Sequence, residues 1–303
     1  MSQVEVDKII PQSGTTLTVG DSGDTITIPS GATLSVSGSL GTLSSLTVNG
    51  NVSIDGGTIK LDGNYPVGTC NVALGDGALD DGSLTGGNNI AIGTSALGAN
   101  TAGSGNTAVG RIALAVNTTG INNVAVGLNS LFLNTTGSGN TAVGASALDS
   151  NTTASNNTAI GTDSLCANTT GATNVALGYV SLCTNTTGSE NVALGVASLL
   201  SNTTASNNTA VGNSALRLNT TGATNVALGR NALRNNTTAS ENVAVGYNSL
   251  CANTTGTANT ALGVEALQAN TTANSNTAVG LKPLYTNTTG ANNTAIGQQA
   301  LFS

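Results

Sequence analysis

The chain has 303 residues, 2% of them aromatic and 7% charged, with no Trp and no His, and carries a formal net charge of −7. A chain so poor in large side chains cannot build an ordinary globular core, yet its periodic Val, Ile and Leu and its small net charge set it apart from disordered sequences. The acidic excess sits in residues 1–92, with nine Asp/Glu against Lys8 and Lys60, while residues 93–303 hold five charges of each sign; so few cations release few counterions, which argues against nucleic-acid binding.

Met1 to Lys8 lack the basic and apolar regions of a signal peptide. No run approaches the roughly 18 apolar residues of a membrane helix. The expectation is a protein made in a cytosol, without membrane insertion, that leaves only as part of an assembly. From residue 14 to 62 come short alternating runs, among them Thr16 to Val19, Thr25 to Ile28, Thr33 to Val36 and Thr58 to Leu61. Period-two alternation bounded by Gly, Pro, Asp and Asn predicts half-buried strands, so residues 1–70 are expected to be a β-rich N-terminal attachment region. A degenerate repeat follows at Asn71 to Gly75, and the 18-residue step from Gly75 to Gly93 fits a transition coil.

From Gly93 to Gly297 a glycine recurs every 17 residues, thirteen times without an insertion or deletion. Counting each glycine as position 0, Leu stands at 4, Asn at 7, Thr at 8, Asn at 13, Thr or Val at 14 and Ala at 15, with Val, Ile or Leu at 16. A fixed short period predicts a solenoid whose coils bury their apolar residues only by stacking, so residues 71–303 are expected to form an all-β parallel β-solenoid shaft of 17-residue repeats. One Leu per repeat gives no helical stripe. Positions 13 to 16 suit a strand, with positions 14 and 16 expected inside beside Leu and the small Ala, such as Ala108, Ala125 and Ala142, facing outward. That Ala face is expected to pack against identical chains, because one Leu and two small apolar residues per coil make a thin core. The glycine suits a turn needing positive φ or close backbone approach.

Asn117, Asn134, Asn151, Asn168, Asn185, Asn202, Asn219, Asn236, Asn253, Asn270 and Asn287 occupy position 7. Stacked at one corner, they can form an amide ladder. All eleven also read as Asn-Thr-Thr glycosylation acceptors, but sites about 4.8 Å apart leave no room for a glycan on each. Cys166, Cys183 and Cys251 all stand at position 5. The first two are one coil apart, near enough for a bridge by distance but not, on this reading, by side-chain direction, so free thiols are expected. The spacing of a zinc site is absent, and neither a metal nor a cofactor is expected.

The run Asn140 to Leu148, Asn-Thr-Ala-Val-Gly-x-x-Ala-Leu, and its counterpart Asn276 to Leu284 with Pro283 in place of Ala, resemble the Ser-Val-Ala-Ile-Gly-x-x-Ala repeat in the heads of trimeric bacterial autotransporter adhesins. The repeat here is longer through its Asn-Thr-Thr-Gly stretch. Residues 8 to 33 resemble N-terminal segments of fibre proteins from tailed phages, marine ones especially, in which a 17-residue repeat also occurs. The resemblance implies a left-handed β-roll in an intertwined or side-by-side homotrimer; from the residues alone a triangular β-helix stays open, since positions 4, 10 and 16 are evenly spaced. It further implies a structural virion or tail fibre made in the host cytoplasm and displayed as an extracellular appendage. Its partners would be its own copies, other virion proteins through residues 1–70, and a host-surface glycan or protein.

An ice-binding solenoid and a cell-surface adhesin are the alternatives. Catalysis by paired carboxylates is not expected, because Asp149, Asp163, Glu190, Glu241 and Glu265 are scattered along the repeats, and Asp163 and Glu265, which share a position, lie six coils apart. Receptor contacts are expected at variable positions, with Tyr179, Tyr247, Tyr285 and Phe302 as candidates beside the plainer role of packing. Phe302 from three chains is also expected to fold over the end of the core as a minimal tip, or to be covered by another protein.

Overall fold

The computed structural model describes residues 70–302, so the expected attachment region lies, apart from Cys70, outside the described residues. Fourteen three-residue strands, from β1 (Val72–Leu74) and β2 (Ile90–Ile92) to β14 (Thr294–Ile296), form one parallel sheet in sequence order. There is no helix among the described residues. Each strand pairs with its equivalent one coil on, as Thr107, Ala108 and Val109 with Val124, Ala125 and Val126. Only β1 to β2, Val72 with Ile90, takes the 18-residue step. The all-β parallel solenoid of 17-residue repeats is therefore the fold.

Pairing continues outside the strands. The Leu114 N–H donates forward to the Ser130 carbonyl at 3.0 Å, and the Ile112 N–H donates back to Thr94 at 2.8 Å. A coil thus satisfies its backbone on both neighbours, which lets irregular turns serve as walls of the stack.

The strand faces the opposite way to the sequence expectation. Ala91, Ala108, Ala125 and their equivalents through Ala278 are fully buried, whereas the residues on either side are half-buried or exposed, Leu177 at 46% and Leu262 at 46%. The reason is volume. A three-residue strand sends one side chain inward, and the interior is already filled by Leu at position 4, Ala or Ser at position 3 and two asparagines, all buried. Only a methyl group fits opposite that leucine, so the bulky residues at positions 14 and 16 point outward.

The leucines carry a cost that the sequence does not announce. From Leu97 to Leu301 each has a left-handed φ between 48° and 54°, a conformation that disfavours side chains by about 1–2 kcal/mol. Burial of a leucine contributes about 1.5–3 kcal/mol, enough to hold it there. Positions 2 and 12 are left-handed as well, as at Asn129 and Asn156. At position 0 only glycine works: Gly195 has φ 128°, and a Cβ there would lie 2.7 Å from both the carbonyl carbon and oxygen of Gly212.

These two kinds of positive φ predict opposite substitution effects. Gly195→Ala should lose at least about 2 kcal/mol in denaturant unfolding. Thr173→Asn, at an exposed φ of 57° that Asn occupies at 122, 156 and 207, should gain up to about 1 kcal/mol. A stable Gly195→Ala chain would contradict the close approach, and a destabilised Thr173→Asn chain the strain at position 12.

Candidate functional site

The solenoid sorts its residues into inner columns, which are nearly constant, and outer columns, which vary. The position-7 asparagines, Asn100 and the eleven from Asn117 to Asn287, lie in one inner column. Asn117 Nδ2 donates to Asn100 Oδ1 at 2.8 Å and to the Gly120 carbonyl at 3.1 Å. The same pair of bonds recurs at Asn134 (2.8 and 2.9 Å) and at Asn185 (2.9 and 2.9 Å). The chain of amides runs without a break to Asn287, which reaches Asn270 at 3.3 Å. From 117 to 270 these side chains are fully buried, so the Asn-Thr-Thr acceptor amides sit inside the stack.

A second column went unassigned in the sequence, although position 13 is as constant as position 7. Asn123 Oδ1 accepts the Asn140 backbone N–H at 2.9 Å, and Asn123 Nδ2 donates to the Gly137 carbonyl at 2.9 Å. Gly137 also accepts from Asn134 Nδ2. The carbonyl at position 10 therefore joins the two columns. A Cβ built on Gly137 would come within 2.3 Å of the Ala154 carbonyl oxygen and 2.4 Å of Asn134 Oδ1; Ala154, Ala205, Ala239 and Ala273 hold the same position, so the surroundings shift to take a methyl group there. Beside these, the Thr118 hydroxyl donates to the Thr135 carbonyl of the next coil at 3.1 Å, a pattern repeated along position 8.

The outer columns hold the candidate contact residues. Tyr179 and Tyr247 stand exposed at position 1, four coils apart, too far for one platform. Tyr285 and Phe302 are brought together at position 5, their rings parallel within 2° and 5.2 Å apart, with Lys282 Nζ 5.2 Å above the Tyr285 ring. Within the single chain Phe302 thus lies along the side of the coil and leaves Leu301 56% exposed. Lys282 also pairs with Glu265 one coil back at 2.9 Å. Next to Tyr285 a shallow groove of 230 Å³ is lined by Asn235, Cys251, Ala252, Gln268 and Ala269, mixing an aromatic wall with amides.

Two groupings were invisible as linear spacing. Asp149 at position 5 and Asp163 at position 2 of the next coil face each other closely enough to interact; burial first, then Asp163, holds the Asp149 carboxyl above its ordinary 3.8. Cys166 and Cys183 meet with their sulfur atoms 2.6 Å apart, which corrects the expectation that their side chains diverge. In an in-register stack equivalent side chains share one direction and converge by a small χ1 rotation. Among the described residues no group of three or more Cys, Asp or Glu is placed to hold a metal ion. The chain matches no protein family, no curated protein and no solved structure with which it was compared.

Asn185→Asp keeps the acceptor for Asn202 but removes the donor to Asn168 and Gly188 and buries a charge; it should cost about 3–5 kcal/mol in denaturant unfolding, and a near-neutral result would rule out the amide column as a source of stability. Asp149 gives a pH test. Its raised folded-state pKa means that its contribution favours folding fully below 3.8 and is lost as pH rises through the folded value. Asp149→Asn should therefore melt higher than the parent at pH 7, with the gap closing in acid; a gap independent of pH would contradict this.

Proposed function

We propose that residues 71–303 are the shaft of a homotrimeric structural fibre, carried on a virion as a tail or virion fibre and used in attachment to a host surface, with residues 1–70 joining other virion proteins. One observation carries the trimeric rod. Along all fourteen strands the outward positions 14 and 16 hold only Val, Ile, Leu and Thr, with no charge. Exposed apolar residues at position 1, among them Leu128, Val196, Val264 and Leu281, widen the stripe.

Thirteen strand spacings of about 4.8 Å make a face about 60 Å long, and with two side-chain columns its area is on the order of 600 Å². That is the upper end for an unpartnered patch on a monomer and near the roughly 800 Å² per partner of a stable interface. Association through Val, Ile and Leu replaces the Ala contact expected from sequence. The virion assignment rests on the resemblance of the repeats and of residues 8 to 33 to phage fibres, together with a shaft whose constant positions serve stacking alone. An ice-binding surface is less well supported, since Thr at position 14 alternates irregularly with Val, as in Thr107, Val124, Thr141 and Thr158.

Sedimentation of the full chain should give three times the 29.4 kDa chain mass. Leu177→Lys with Leu194→Lys should give a β-structured species of one chain mass. A parent chain that is monomeric at micromolar concentration overturns the trimer. Antibody to residues 71–303 should label fibres on purified particles; label confined to a cell envelope would favour the adhesin reading, and thermal hysteresis of the purified chain the ice-binding one.

A further inference from the structure

Position 5 is a variable outer column, and a residue there always faces the position-5 residues one coil away on either side. In one place both are cysteine. Cys166 Sγ lies 2.6 Å from Cys183 Sγ, closer than two unbonded sulfur atoms rest, and also reaches the Cys183 carbonyl at 3.4 Å. Both thiols are free and half-buried, so they remain within reach of a small reagent. Cys251, in the same column, is the built-in contrast: its neighbours one coil away are Arg234 and Gln268.

We propose that Cys166 and Cys183 form a thiol–disulfide site that closes when the chain meets a small-molecule disulfide such as oxidised glutathione, stitching two adjacent coils together, and reopens on reduction. The reaction begins at Cys183. Cys166 is the thiol placed to keep its proton, because its S–H can donate to the Cys183 carbonyl as well as across the sulfur pair, and that contact holds the Cys183 thiol below its ordinary value against the effect of burial and of Asp163. The Cys183 thiolate attacks one sulfur of the oxidant; the oxidant's S–S bond breaks, and the released thiolate takes up a proton. Cys166 then gives its proton to solvent and attacks Cys183 Sγ in the mixed disulfide, displacing the second small thiol. Two protein thiols are oxidised, and one small disulfide is reduced to two thiols.

Geometry also sets how firmly the bond holds. In-register coils keep equivalent Cβ atoms about 4.8 Å apart, whereas a disulfide draws them to about 3.8 Å. Position 5 lies in a turn outside the three-residue strands, where the backbone can close that difference. The bond thus closes with little strain, and its half-buried position leaves it open to a small reductant.

The full chain, incubated with oxidised glutathione and then unfolded and alkylated, should show its thiol count halved from four. Cys70 and Cys251 should be alkylated, the intact mass should be lower by two hydrogens, and dithiothreitol should restore all four thiols. In Cys166→Ser the reaction should stop at one glutathione on Cys183. Four alkylatable thiols after oxidation, a bond between different chains, or glutathione accumulating on Cys183 of the parent without closure would each overturn the site.

Discussion

The structure depends on burying amides in register. Two asparagines per coil are sealed from water, and an unpartnered buried amide costs about 1–3 kcal/mol, comparable to the whole gain from the one leucine that the coil contributes. Each asparagine finds its partners only if the next coil presents the same amide at the same height, as Asn168, Asn185 and Asn202 do. A coil one residue longer or shorter would misplace both columns at once. This explains why the 17-residue step tolerates side-chain variation at more than half its positions yet no insertion from Gly93 to Gly297. The hydrophobic core is a narrow filling; the polar columns set the register.

The same narrowness turns the strand over. Because Leu and two asparagines occupy the interior, the strand can offer it only Ala, and the β-branched residues that make the segment a strand must face out. Local propensity and global packing then agree on the backbone while leaving apolar surface outside. A wide solenoid could bury those side chains internally. A thin one leaves them outside, and on the proposed reading identical copies cover them, since a uniform, uncharged strand face suits its own pattern.

Much of this was legible in the sequence because the period, the strand triplet and the glycine are expressed by residue type. Positive φ with a backbone carbonyl at van der Waals distance leaves glycine alone at Gly110 or Gly195. The direction of the strand was not legible: Val-Ala-Val alternates symmetrically, and which side is inside depends on what the far wall of the coil already holds. Nor were the left-handed leucines, since Leu is no left-handed former and Leu114 adopts φ 53° only under its burial and hydrogen bond to Ser130. The position-13 asparagines had the signal of constancy without a distinguishing neighbour such as Thr-Thr.

What the variable columns carry follows one rule: residues 17 apart at the same outer position become neighbours. The rule pairs Glu265 with Lys282, Tyr285 with Phe302 and Cys166 with Cys183. It also sets Arg217 beside Arg234, where each Nε is buried without a partner and like charges oppose each other at a small cost. Along a rod of this kind, single substitutions change pairwise chemistry at chosen heights without disturbing the stack, because the backbone register is held by columns in which those residues take no part. Outer side chains can thus vary while the stack stays constant, and a grouping of more than two adjacent side chains must draw on neighbouring columns, as the groove beside Tyr285 does with positions 5 and 6.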